Sequence, residues 1–201
     1  MSRMNKSSKH LANAYRGKNG VTWYNPSSYN GVLFLLREPH IDKNETEPEN
    51  VILGNWEWFT RVIFAPTDRF EKRYQNRIIE MLNALPNIEH HPEQIAFANL
   101  NIKGGGSTSS KNYWEILNNP EKRQIELDRI FSCVSKEKTQ YIITCKEIFE
   151  AMSDLKTIKE KNGFQYTNNN ISRTGKMDRI VLIEMLKHPC ISPAVIGAIL
   201  Q

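Results

Sequence analysis

Cysteine is scarce in this 201-residue chain, and its three copies, Cys133, Cys145 and Cys190, lie far apart with no Cys-x-x-Cys pair. An odd, scattered set argues against both a disulfide framework and a structural zinc site. Long apolar runs are missing too, and nothing approaches the roughly 20 residues of a membrane span. The first residues, Met1-Ser2-Arg3-Met4-Asn5-Lys6, lack an apolar signal core, so the expected location is the cytoplasm, with no membrane partner. Acid is absent from residues 1–37, which carry Arg3, Lys6, Lys9, Arg16, Lys18 and Arg37. Residues 38–57 reverse this, with Glu38, Asp42, Glu45, Glu47, Glu49 and Glu57 against Lys43 alone. There is no internal repeat and no Gly-x-Ser-x-Gly elbow, which counts against an α/β-hydrolase. His90-His91 has no third ligand at metal spacing. No metal and no cofactor is expected.

What is present suits one globular domain with an arm: 39% hydrophobic and 24% charged residues. Net charge is +5 with a pI near 9.1, a weak sign of polyanion binding. Residues 1–30 read as a basic N-terminal arm suited to nucleic-acid contact, its later part docked through Trp23, Tyr24 and Tyr29. A merely solvated surface is the alternative for both charge runs. Residues 31–201 form the domain.

The chain turns on Val32-Leu33-Phe34-Leu35-Leu36, five apolar residues that read as a strand buried on both faces. Pro39 ends it. Glu38, His40 and Asp42 follow at once, three groups able to do acid-base or electrostatic work. Further strands are expected at 95–102, 141–145 and 180–186. Helices are expected at about 56–64 and 69–84, the second capped by Asp68 and closed by Pro86. Asn119-Pro120 starts another, with Leu127, Ile130, Phe131 and Val134 on one face. Ile148, Phe149 and Met152 mark a helix after the third strand, and a last one runs over 193–200. Residues 157–176 read as a loop region with one short strand at most. Strands alternating with helices predict an α/β protein with a parallel sheet and helices on both faces. One sheet edge then collects Glu38, His40 and Asp42, then Asn99, Asn101 and Lys103, then residues 144–146, and last His188.

Lys103-Gly104-Gly105-Gly106-Ser107 is not a Walker loop, because the lysine precedes the glycines. Its backbone N–H groups can still meet a phosphate, or the run is a plain linker. His188-Pro189 closes an apolar strand, a place from which a histidine can donate to a developing oxyanion.

With these segments in order, residues 30–195 resemble the uracil-DNA glycosylase superfamily. The matching stretches are 32–39, an apolar strand leading to an acidic residue and proline; 97–103, a strand bearing asparagine and then lysine; 127–145, a helix leading into an apolar strand; and His188-Pro189-Cys190. The chain departs from the pattern in that Arg37 stands at the place of a glycine, Pro39 comes one position early, and Cys145-Lys146 replaces a further glycine. Cys190 replaces a serine, and the iron–sulfur cysteines of some branches are absent.

The resemblance implies a three-layer α/β/α sandwich around a four-stranded parallel sheet. It implies a hydrolase acting as a monomer in DNA repair, which flips uracil or a related base from single- or double-stranded DNA and breaks its N-glycosidic bond. Glu38 or Asp42 would orient water and stabilise the sugar cation, and His188 would donate to the base oxygen. Asn99 or Asn101 would read the base edge. Trp56 or Phe59 would stack on the base unless they pack in the core. Lys103, Gly104, Gly105, Ser107 and Lys187 would meet phosphates. Two rivals are a nucleic-acid-binding member that has lost its chemistry through the Arg37 and Pro39 changes, and an enzyme acting on a small nucleotide.

Overall fold

The computed structural model describes residues 21–23, 29–38, 62–63, 65–88, 94–103, 109–154, 159–160 and 171–185. They form an α/β structure with seven strands: β1 (Val21–Trp23), β2 (Val32–Leu36), β3 (Ala96–Asn99), β4 (Tyr141–Thr144), β5 (Lys159–Glu160), β6 (Ile171–Met177) and β7 (Ile180–Met185). Four helices accompany them: α1 (Arg69–Asn83), α2 (Lys111–Asn118), α3 (Pro120–Phe131) and α4 (Lys146–Met152).

The sheet runs β1-β3-β2-β4-β7-β6-β5. Its four central strands, β3, β2, β4 and β7, are mutually parallel. They are the four strands expected from the apolar runs. The four-stranded parallel sheet is nevertheless corrected to a seven-stranded mixed one. β1 adds to β3 antiparallel, and β6 and β5 add beyond β7, also antiparallel. The added strands lacked the signal that marks the central four. β1 has three residues, and β6 reads Ile-Ser-Arg-Thr-Gly-Lys-Met, with no apolar run and no strict alternation. All of β6 but its last residue, Met177, lies inside the segment expected to be mostly loop. A two-residue turn joins it to β7, and Asp178 there takes φ +54°.

Alternation along the strands splits the core in two. Val32, Phe34 and Leu36 pack with Phe97, Ile143, Ile183 and the α1 face of Tyr74, Ile78, Met81 and Leu82. Leu33 and Leu35 pack on the opposite side with residues of α2, α3 and α4. The chain moves one way from β2 to β3 and the other way from β3 past β2 to β4. Crossovers of one hand then require α1 and the α2–α3 pair to lie on opposite faces.

Local signals start these helices. The Asp68 side chain accepts from the Glu71 N–H at 2.8 Å, while Glu71 accepts from the Thr67 N–H and hydroxyl. This is a capping box shifted one residue outward. Asn119 accepts from the Glu121 and Lys122 N–H groups, with Pro120 in the first turn. Of the expected helix at 56–64, Val62 and Ile63 are helical and buried, and the rest lies outside the described residues.

Candidate functional site

The strand order reverses between β2 and β4, where the chain leaves β2 toward one edge and later returns to the other side. The crevice beyond the carboxyl ends of two such strands is where open α/β sheets bind ligands. Two side-chain clusters lie there, one centred on Glu38 and one on Cys145.

Glu38 follows β2 and is held by three donors. Its Oε1 accepts the Ser110 N–H at 2.6 Å. Its Oε2 accepts the Ser110 hydroxyl at 2.6 Å and Asn101 Nδ2 at 2.6 Å. The ladder between β2 and β3 continues past the strands, with Asn101 N–H donating to Arg37 O at 2.9 Å. That bond sets Asn101 beside Glu38. Ser110 arrives because it caps α2, its hydroxyl accepting from the Tyr113 N–H at 3.1 Å.

Asn101 is 1% exposed and its amide is fully used. Nδ2 donates to Glu38 and Ser110, and Oδ1 accepts from the Lys103 N–H and from Asn112 Nδ2. A carboxyl group has about four lone-pair positions, so Glu38 keeps one, on Oε1. Among the described residues the cluster therefore presents an oriented carboxylate with one acceptor direction left without a donor.

The second cluster lies on the other face of β2. Arg37 Nη2 donates to Glu147 Oε1 at 2.6 Å, and the two side chains are 42% and 31% exposed. The Cys145 thiol, at the start of α4, lies against Arg37, Tyr113 and Glu147. Burial pushes the thiol pKa up. Burial also pushes the Tyr113 phenol well above its ordinary range, Cys145 reinforcing the shift and Arg37 opposing it. Arg37 Nε, Tyr113 Oη and Glu147 Oε2 are buried with no nitrogen or oxygen partner among the described residues, and the Cys145 thiol is the weak hydrogen-bonding neighbour that their side chains share. Such atoms cost about 1–3 kcal/mol each when left unpaired.

The structure separates the expected site residues. Glu38 and Asn101 are brought together. Asn99 is 9% exposed, on the Phe97 face of β3, and its carbonyl accepts from Arg129 Nη2 at 2.7 Å. Lys103 is exposed, beside Asn101 in sequence and bonded to it through the backbone. Asp42, His188, Trp56, Phe59, Gly104, Gly105, Ser107 and Lys187 lie outside the described residues.

Sequence reasoning passes over Ser110, Tyr113 and Glu147, meets Cys145 only within the 144–146 stretch and as a departure, and meets Arg37 only in the basic run and as a departure. A signal exists for Ser110: Tyr113, Ile116 and Leu117 follow it at helical spacing and are buried. Among the described residues no three His, Cys, Asp or Glu side chains gather as metal ligands, and no helix is long and apolar enough to cross a membrane. No protein-family model, curated protein or solved structure matches the chain.

Proposed function

We propose that the protein is a DNA glycosylase-like hydrolase that cleaves the N-glycosidic bond of uracil or a related base. The observation that carries this reading is the Glu38 carboxylate, fixed by Ser110 and Asn101 at the carboxyl end of β2, with one lone pair of Oε1 left without a donor among the described residues. A parallel sheet centre with helices on both faces agrees with the three-layer α/β/α sandwich that the sequence resemblance implies. In this role Glu38 accepts a hydrogen bond from a water and faces the developing sugar cation. As the C1′–N bond breaks, the water oxygen bonds to C1′ and gives up a proton to the Glu38 carboxylate. The base leaves with the bonding pair and takes up a proton, for which His188 is the sequence candidate. Preorganised charge of this kind commonly lowers the barrier more than any other single effect. Asn101 acts here through Glu38, as a positioning residue.

The test is base release from single- and double-stranded oligonucleotides carrying uracil. Release should fall by at least about a hundredfold in Glu38→Gln and His188→Ala if these groups act on the transition state. Asp42→Asn, run beside them, decides between the two carboxylates. No release from any damaged-base substrate sinks the proposal.

A second reading is favoured by the Arg37–Glu147 pair, in which Arg37 stands where the family pattern has glycine. It is a binding module that recognises nucleic acid without chemistry. Salt-dependent DNA binding with no release by the parent protein would establish it.

A further inference from the structure

The arginines described outside α1 are all engaged: Arg37, Arg123, Arg129, Arg173 and Arg179 each donate to a carboxylate or a carbonyl oxygen. α1 is the exception. Its Arg69, Lys72 and Arg73 have no carboxylate within ion-pair reach among the described residues. Arg69, Arg73 and Arg77 recur every four residues and so fall on one line along the helix, with Lys72 beside it. The line lies opposite the buried Tyr74, Ile78, Met81 and Leu82. Phe70, whose ring is 38% exposed, borders it.

The helix gains nothing from this charge. Like charges at four-residue spacing repel, and cations in a first turn oppose the helix dipole. The acids of the same turn are turned to other work. Asp68 caps the helix, and Glu71 is buried and accepts from Thr67. Glu80 enters only in the last turn. The place of this face in the fold follows from the crossover. The hydroxyl of Tyr141, the first residue of β4, donates to Pro86 O, just past α1, at 3.1 Å. The end of α1 therefore lies at the amino edge of the parallel strands. Its first turn lies at the carboxyl edge, where Glu38 follows β2.

We infer that the outer face of α1 binds the backbone of a single nucleic-acid strand, Arg69, Lys72 and Arg73 meeting its phosphates and Phe70 stacking under a base. This adds a strand-holding surface outside the crevice and rests on the glycosylase reading only for what the held strand delivers there. A four-residue step rises about 6 Å along a helix, close to the separation of neighbouring phosphates on one strand. A guanidinium meets phosphate through two parallel hydrogen bonds. An exposed ring beside such cations is a platform for an unpaired base. A lipid surface suits this face less, because Phe70 is the one large apolar side chain bordering it and membrane-bound helices need an apolar stripe.

The experiment uses the full chain with a labelled oligothymidylate of about 20 nucleotides, single or paired with its complement. Vesicles of phosphatidylserine and phosphatidylcholine are the third probe. Titrations run from about 50 to about 200 mM salt. The parent should bind the single strand more tightly than the duplex and more tightly than the vesicles. The triple variant Arg69→Gln, Lys72→Gln, Arg73→Gln should bind the strand at least about tenfold more weakly and flatten the salt slope by about 2. Phe70→Leu should weaken the strand about tenfold. Lys138→Gln, at an exposed lysine in the turn before β4, should change binding by less than about twofold. The removed charges oppose the helix dipole, so Tm of the triple variant should hold or rise, which separates lost binding from lost folding.

Absence of salt-dependent binding by the parent overturns the inference. So does unchanged binding in the triple variant or in Phe70→Leu, a loss in Lys138→Gln as large as in the triple variant, or binding of duplex or vesicles at least as tight as of the strand. Uracil release is measured on the same preparations. Binding carried by α1 with no release by the parent keeps the surface and removes the glycosylase reading. Release by the parent with binding unchanged in the triple variant keeps that reading and removes the surface.

Discussion

Glu38 Oε1 accepts the backbone N–H of Ser110 at 2.6 Å across 72 residues of sequence. The bond joins the end of the first parallel strand to the first turn of α2, where the helix dipole also favours negative charge. Glu38→Ala strands the Ser110 N–H and Asn101 Nδ2. It is expected to lower stability by about 2–3 kcal/mol, and Glu38→Gln by less, because one acceptor oxygen survives. Urea unfolding reads both variants. An unchanged midpoint for the alanine variant would remove the clamp from the account of stability.

Arg173 on β6 holds Glu184 on β7. Its Nε donates to the Glu184 carboxylate, its Nη2 donates to Glu150 at 2.8 Å, and its guanidinium lies 5.1 Å from the Phe149 ring centroid. The Glu184 side chain is 8% exposed. Arg173→Met leaves that carboxylate buried and unpaired, at a cost of about 3 kcal/mol. Adding Glu184→Leu should recover most of the loss. A double variant no more stable than the single one would show that packing, not charge, holds this hairpin.

Glu147 governs part of the acid limb. Burial opposes its charge, but its own backbone N–H and the Arg37 guanidinium outweigh this and hold its carboxyl below the ordinary value of 4.5. A lowered folded pKa adds stability that is fully present above the unfolded value and is lost as pH falls through the folded one. Glu147→Gln should therefore match the parent's slope of Tm against pH above about pH 5 and show a shallower fall below about pH 4.5. Parallel curves from pH 3 to 6 would assign the acid limb to other groups. The effect is small, since the side chain is 31% exposed.

Gly31 precedes β2 with φ +90°, and a Cβ there would lie 2.5 Å from Lys138 O. Its carbonyl accepts from both Gln140 N–H and Tyr141 N–H, which docks β4 beside β2. Gly31→Ala combines left-handed strain with a backbone clash and is expected to cost at least about 2 kcal/mol. A loss within about 0.5 kcal/mol, read by thermal unfolding, would show that the turn relaxes freely.

The central strands are legible because burial on both faces demands unbroken apolar runs, as in 32–36 and 141–144. The Asp68 and Asn119 caps are legible because capping is local chemistry. α2 escapes notice because Ser110, its cap, stands at the end of a glycine and serine run and reads as linker. β6 escapes because its polar residues meet neighbours that no periodicity reveals: Arg173 finds Glu184 only once the hairpin forms. Glu38 is visible as a polar group ending an apolar strand. Its partners are not, since Asn101 and Ser110 reach it through strand pairing and a helix start. Arg37 and Cys145 stand in the sequence as two separate departures from the glycosylase pattern. The fold makes them neighbours, so they read as one change to the crevice.

β1 carries a consequence for the molecule's dealings with other copies of itself. β3 is buried along all four residues, Ala96 to Asn99, and among the described residues its outer edge is covered by the three residues of β1. At the far side the described part of the sheet ends in β5, of which two residues are described, a short edge for templating another strand. The two flanks are thus unequal in risk. Loss of the segment through Trp23, by proteolysis or by trimming, would bare an apolar, fully formed strand edge and invite strand addition from a second molecule. Residues 21–23 are therefore a guard against self-association as well as the start of the fold.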